Sequence, residues 1–116
     1  LEGTIEYCRI HQIQIQAWSP ISKGFLSGRS YQGKDGKLTE RILKCKSNID
    51  EFSKKHQAPA EAIVVAWILH HPARILPVLG STNPDRIRKC ARSLEVKLSR
   101  EEWFELYCLG RGSNLP

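Results

Sequence analysis

The chain has no methionine, no long apolar run, no closely spaced cysteines and no block of like charge. Each lack excludes something. A membrane-spanning helix needs about 18 or more consecutive apolar residues, and no stretch of that length occurs. Glu2, Glu6 and Arg9 interrupt the start of the chain, so no signal-peptide pattern is present there. The four cysteines, Cys8, Cys45, Cys90 and Cys108, are widely separated, without a CxxC pair or metal-ligand spacing. They are expected as reduced, mostly buried thiols of a cytoplasmic protein. His11, His56, His70 and His71 show no ligand spacing either. His70 and His71 precede Pro72 at a helix end, where capping is the expected role. The net charge of +6 and pI of 9.4 permit a polyanionic partner. The basic residues are nevertheless scattered, not interleaved with aromatics, so nucleic acid is not an expected partner. With Leu1 first and methionine absent, the chain reads as an internal or C-terminal piece of a longer protein, or as a processed one.

What is present is enough for one domain over residues 1–116: 41% hydrophobic and 26% charged residues suit a modest globular core. Residues 2–11 pattern as the last turns of an amphipathic helix. Ile13, Ile15 and Ala17 alternate with glutamines at the strand period, and Ser19-Pro20 ends that strand. Residues 21–29 read as a loop or a short helical turn, and 30–37 as the most loop-like segment. Thr39 is placed to cap a helix over 40–55 with Ile42, Leu43, Ile49 and Phe52 inward. Pro59 stands at the first position of a helix over 59–70. Apolar residues from Ala62 to Leu69 nearly surround that helix, which implies deep packing and more neighbours than this chain supplies. Ser99-Arg100-Glu101-Glu102 is a capping box opening a last helix, ended by Gly110 and Gly112. The tail to Pro116 is expected to be loose.

The most informative stretch runs from Arg74 to Lys89. Ile75, Leu76, Val78 and Leu79 form a nearly continuous apolar run, as in a buried strand, with Pro77 at a strand end or bulge. Gly80-Ser81-Thr82 breaks it, Asn83 is a good N-cap, and Pro84 suits the first helical position. Free backbone N–H groups at that helix start, its dipole and Arg86 would converge on an anion. An ordinary strand-turn-helix connection without a ligand has the same spacing. Together the elements alternate as βα units, normally a parallel sheet with helices outside, yet two strands alone leave such a domain incomplete.

Residues 17–24 (AWSPISKG), 59–69 (PAEAIVVAWIL), 76–87 (LPVLGSTNPDRI) and 98–103 (LSREEW) together resemble, in order, the C-terminal part of the aldo/keto reductases. The resemblance implies an α/β fold, the C-terminal part of a (β/α)8 TIM barrel. Residues 13–18 would be its seventh strand and 75–79 its eighth. It implies an NADP(H) site in which Trp18 stacks on the nicotinamide, and Ser19, Pro20, Ile21, Ser22 and Gly24 wrap the pyrophosphate. Arg29 would reach a phosphate, and Gly80, Ser81, Thr82, Asn83 and Arg86 would hold the adenosine and its 2′-phosphate. Many members carry lysine where Gly80 stands, and an acidic residue then Asn where Lys89 and Cys90 stand, which leaves NADP versus NAD open. The family's catalytic Tyr, Lys, Asp and His come from earlier strands that this sequence lacks. Tyr7, Tyr31 and Tyr107 lie outside the matching motifs, so no catalytic residue is assigned. Two roles are therefore expected to compete. One is the cofactor-binding portion of a carbonyl-reducing oxidoreductase, inactive alone and completed by an N-terminal barrel half. The other is a non-catalytic half-barrel module that self-associates or binds a partner chain.

Overall fold

A computed structural model describes residues 3–30 and 33–113. The order is α1 (Thr4–Ile10), β1 (Gln16–Trp18), a 3-10 segment (Ser22–Ser27), α2 (Gly36–His56), α3 (Ala60–Leu69), β2 (Leu76–Val78), α4 (Pro84–Ala91), a second 3-10 segment (Arg92–Glu95) and α5 (Arg100–Arg111). The tail beyond residue 113 and Tyr31 lie outside the described residues.

Helix α3 is the centre. Ala62 to Ala66 and Ile68 are buried, Ile63 completely. They meet Ile49 and Phe52 of α2, Val96 after the second 3-10 segment and Leu106 of α5. The all-round apolar sequence is thus satisfied by α2, α4, β2 and both 3-10 segments. The expectation that this chain could not supply enough neighbours for α3 is wrong, because two 3-10 turns and α4 close around it. Trp67 and Trp103 lock α3 to α5. Each indole N–H donates to the other residue's carbonyl, at 2.9 and 2.8 Å, and the rings stack 5.1 Å apart.

Local signals explain most helix ends. Ser99 accepts from Glu102 N at 3.1 Å while the Glu102 carboxylate accepts from Ser99 N at 2.8 Å, the expected capping box. Glu102 is buried, and its carboxylate also takes Lys55 Nζ at 2.7 Å and His56 Nε2 at 2.9 Å, both from α2. Helix α2 begins earlier than expected. Asp35, not Thr39, is its cap, accepting from Lys37 N and Leu38 N, while the Thr39 hydroxyl donates back to the Asp35 carbonyl. On α2, Leu43 is 56% exposed and not inward, because only the stripe through Ile49 and Phe52 faces α3. Pro59 is the N-cap of α3, one position before the expected one. Helix α5 runs through Gly110 and stops at Gly112, whose φ of 80° is the left-handed conformation glycine tolerates. His70 does cap α3, with Nδ1 2.6 Å from the Ala66 carbonyl. Among the four free cysteines only Cys90 is buried; Cys8, Cys45 and Cys108 are half-buried.

The strands are shorter than 13–18 and 75–79, and they pair in parallel, Gln16 with Leu76, Ala17 with Pro77 and Trp18 with Val78. Pro77 lies mid-strand, not at an end or bulge. Leu76 N donates to Ile15 O at 2.9 Å, so the alternating Pro77 nitrogen points away from β1, where no ladder bond is lost. Ala17 and Pro77 are half-buried on one face. On the other, Trp18, Leu76 and Val78 are 79, 49 and 38% exposed, which overturns the reading of 75–79 as a buried strand. A strand covered on one side only has one buried face, whatever its composition.

Candidate functional site

Just beyond the C-terminal ends of β1 and β2 the chain forms an open cleft of about 490 Å³. One wall is the segment after β1. Ser19, Ser22 and Lys23 hold φ of 53, 47 and 57°, and Gly24 holds 89°. Left-handed backbone at three non-glycine positions is strained, at on the order of 1 kcal/mol or more each. Local bonds hold it: Ser22 N to Ser19 O, Gly24 N to Ile21 O, and Arg29 N to Gly24 O, each at 2.9 Å. Arg29 Nη1 donates to Lys23 O at 3.3 Å, tying its side chain to the same turn. A Cβ on Gly24 would meet Arg29 Cβ at an ordinary 3.7 Å, so backbone conformation and not space calls for glycine there.

The opposite wall is the segment after β2. Asn83 caps α4, its Oδ1 accepting from Asp85 N at 2.9 Å and Arg86 N at 3.3 Å. Asn83 N donates to Ser81 Oγ at 3.2 Å and Ile87 N to Asn83 O at 3.1 Å. The expected free N–H groups at the helix start are therefore already used by the chain. What this wall offers an anion is the helix dipole and the side chain of Arg86, which has no ion-pair partner among the described residues. Gly80 has ordinary φ, and a Cβ at that position would meet nothing within 4 Å, so a larger residue fits there.

The structure brings together nine of the twelve residues singled out in the sequence. Trp18, Ser19, Pro20, Ile21, Gly24, Arg29, Gly80, Ser81 and Arg86 all line the cleft. Asn83 borders an adjoining lobe of about 300 Å³, and Ser22 and Thr82 line neither. Sequence reasoning missed Lys23, Ser27, Val78, Leu79, Ile87 and Cys90 in the cleft, and Ser27, Glu61, Asp85 and Lys89 in the lobe. Cys90 follows Arg86 by one helical turn, so the 3.6-residue period is a usable signal. Burial pushes the Cys90 thiol pKa up, and the Glu61 charge adds to this against Arg86. No group of three or more His, Cys, Asp or Glu able to hold a metal exists among the described residues.

The family model for the aldo/keto reductases matches residues 1–108. The chain belongs to the aldo/keto reductase family. It is similar to 6-dehydroglucose reductase of Agrobacterium fabrum, 37% identical over 97% of this chain and 34% of that protein. It is also similar to the uncharacterised oxidoreductase YcsN of Bacillus subtilis, 28% identical over all of this chain and 36% of that one. Among solved structures, the thermostable aldo-keto reductase Tm1743 in complex with the inhibitor epalrestat superposes with a TM-score of 0.73 at 25% identity. That match covers 94% of this chain and 34% of Tm1743. The chain thus spans about a third of the length of the aldo/keto reductases it matches. Its two parallel strands and flanking helices are part of a (β/α)8 barrel. In such a barrel one strand face packs on helices and the other lines the interior; Trp18, Leu76 and Val78 lie on the face that α3 leaves open. No helix among the described residues is long and apolar enough to cross a membrane.

Proposed function

We propose that this chain is the cofactor-binding C-terminal portion of an NADP(H)-dependent aldo/keto reductase that reduces an aldehyde or ketone. The carrying observation is the convergence of the two loops after β1 and β2 on one cleft with Lys23, Arg29 and Arg86 along it. A dinucleotide carries charge at its phosphates and flat apolar rings at its ends. The residues present fit that pattern: cations sit along the cleft, and the exposed Trp18 lines it too. When bound, the nicotinamide supplies the hydride. In this reading Trp18 orients the ring by stacking, the strained 19–24 turn clasps the pyrophosphate, and Arg86 forks onto the 2′-phosphate. Among the described residues no tyrosine stands in the cleft to give the carbonyl oxygen its proton. Neither Tyr7 nor Tyr107 lines the cleft, and Tyr107 is stacked 5.6 Å from Trp103. In this reading the chain alone is inactive, and the catalytic Tyr, Lys, Asp and His are supplied by a complementary N-terminal part.

NADPH titration of the 116-residue chain, read by tryptophan quenching, tests the proposal. Saturable quenching that NADP+ displaces and that Trp18→Phe abolishes is expected; no quenching by the folded chain overturns it. The open face of Trp18, Leu76 and Val78 favours a second reading, a non-catalytic half-barrel whose present role is pairing with itself or another chain.

A further inference from the structure

The lobe beside the cleft mixes both signs of charge. Lys23, Arg29, Arg86 and Lys89 line it together with Asp85 and Glu61. Asp85 is engaged, accepting from Arg88 Nη1 at 2.8 Å. Glu61 is not. It sits in the first turn of α3, only 8% exposed, and no group among the described residues donates a hydrogen bond to it or pairs with it. Its oxygens are not sealed in the core either, because no fully buried side-chain oxygen among the described residues lacks a partner. Glu61 is among the residues that line the lobe.

A carboxylate accepts hydrogen bonds and donates none. In a cation-lined lobe it therefore does two opposite things. It repels a bare anion by like charge, and it rewards an occupant whose hydroxyl or amino group replaces the water that burial has taken from it. The flanking cations draw anions in; Glu61 then sorts them by what stands beside the negative group. We propose that Glu61 is a specificity-determining residue of this lobe, admitting a phosphate only when a hydrogen-bond donor accompanies it. The occupant is accordingly a phosphorylated nucleoside and not inorganic phosphate, an inference that rests on the nucleotide reading above for its choice of nucleoside.

The test is calorimetric titration of the full chain with three probes: inorganic phosphate, adenosine 2′-monophosphate and NADPH. Glu61→Gln keeps the shape of the side chain and removes the charge. It should weaken adenosine 2′-monophosphate by about 5- to 10-fold, because the amide oxygen still accepts the bond but without the charge that roughly doubles its strength. It should tighten inorganic phosphate by about 2- to 3-fold as the like charge goes. Circular dichroism confirms the fold. If Glu61→Gln fails to fold, Glu61→Asp serves instead: the retained charge still rejects phosphate, while the shortened reach loses the nucleoside. A merely structural Glu61 would move both ligands in the same direction, and that result overturns the inference. So does wild-type chain that binds phosphate as tightly as the nucleotide, or that binds neither. If NADPH fails to bind while adenosine 2′-monophosphate behaves as expected, the cofactor reading falls and the role of Glu61 stands.

Discussion

Arg86 is the residue on which the cofactor reading turns. It lines both cleft and lobe, and no acidic side chain among the described residues holds it. Arg86→Ala should weaken NADPH by about 1.5–3 kcal/mol, the range for a lost charge-assisted bond, and leave NADH nearly unchanged. Parallel fluorescence titrations separate the two; equal losses would take Arg86 away from the 2′-phosphate. Trp18→Ala should behave in the opposite manner. Stacking ignores the distant phosphate, so both cofactors should lose about 0.5–1.5 kcal/mol. Gly80 allows a gain. Its ordinary φ and open surroundings accept lysine, the residue many family members carry there. Gly80→Lys should tighten NADPH several-fold at low ionic strength, with the gain fading as salt rises past about 0.15 M. A gain that salt leaves untouched would mean the lysine packs on the ligand without meeting its phosphate.

Glu102 shows how one side chain fastens two elements. Burial works against its charge, but Lys55, the Ser99 backbone and His56 outweigh that and lower its pKa to about 2. The folded state thus holds its proton more weakly than the unfolded chain, whose carboxyl titrates near 4.5. The stabilisation is complete above about pH 4.5 and is lost as pH falls toward 2. With Lys55 largely exposed, about 2 kcal/mol is at stake. Glu102→Gln should remove that acid limb from urea midpoints measured across about pH 2–6; an unchanged limb would assign acid sensitivity elsewhere. These fastenings are partly legible in the sequence. Asn83 and the Ser99–Glu102 box can be read there because a cap is a local rule, one side chain answering one amide two or three residues away. Asp35 is hard to see because it sits inside a glycine-rich segment that reads as loop, and helix α2 starts one residue later. The hydrogen bonds of Glu102 to Lys55 and His56 have no sequence signature, since more than forty positions separate the partners. Helix α3 is legible as buried, because an all-round apolar surface must be covered. What covers it is not, because 3-10 turns leave little periodicity. Ile63, wholly enclosed there, should cost about 3–4 kcal/mol on replacement by alanine. Urea denaturation of Ile63→Ala checks that figure, and a loss under about 1 kcal/mol would place the centre of the core elsewhere.

At the scale of the molecule, surface area is the informative quantity. A folded monomer of this mass exposes roughly 6,400 Å² by the usual scaling, whereas this chain exposes 8369 Å². The excess includes the open sheet face, where Trp18, Leu76 and Val78 stand beyond the reach of α3. Sequence can say that 75–79 belongs inside something; it cannot say whether this chain or another provides the cover, since apolarity records burial and not the identity of the neighbour. A face of that kind, on a sheet of two strands with no further strand beside it among the described residues, favours association. Light scattering on the chain alone should show mass rising with concentration. Leu76→Lys should return it to the monomer mass, because a charge cannot be buried there without a partner. Leu76 does not line the cleft, so this substitution leaves Arg86, the α4 cap and the cleft lining in place. A substituted monomer that still quenches with NADPH would mean that cofactor binding needs only the two loops. One that loses quenching along with association would mean the cleft is completed by whatever covers the open face. If the unsubstituted chain stays monomeric at every concentration, the open face is tolerated in water, and the self-pairing form of the second reading is excluded.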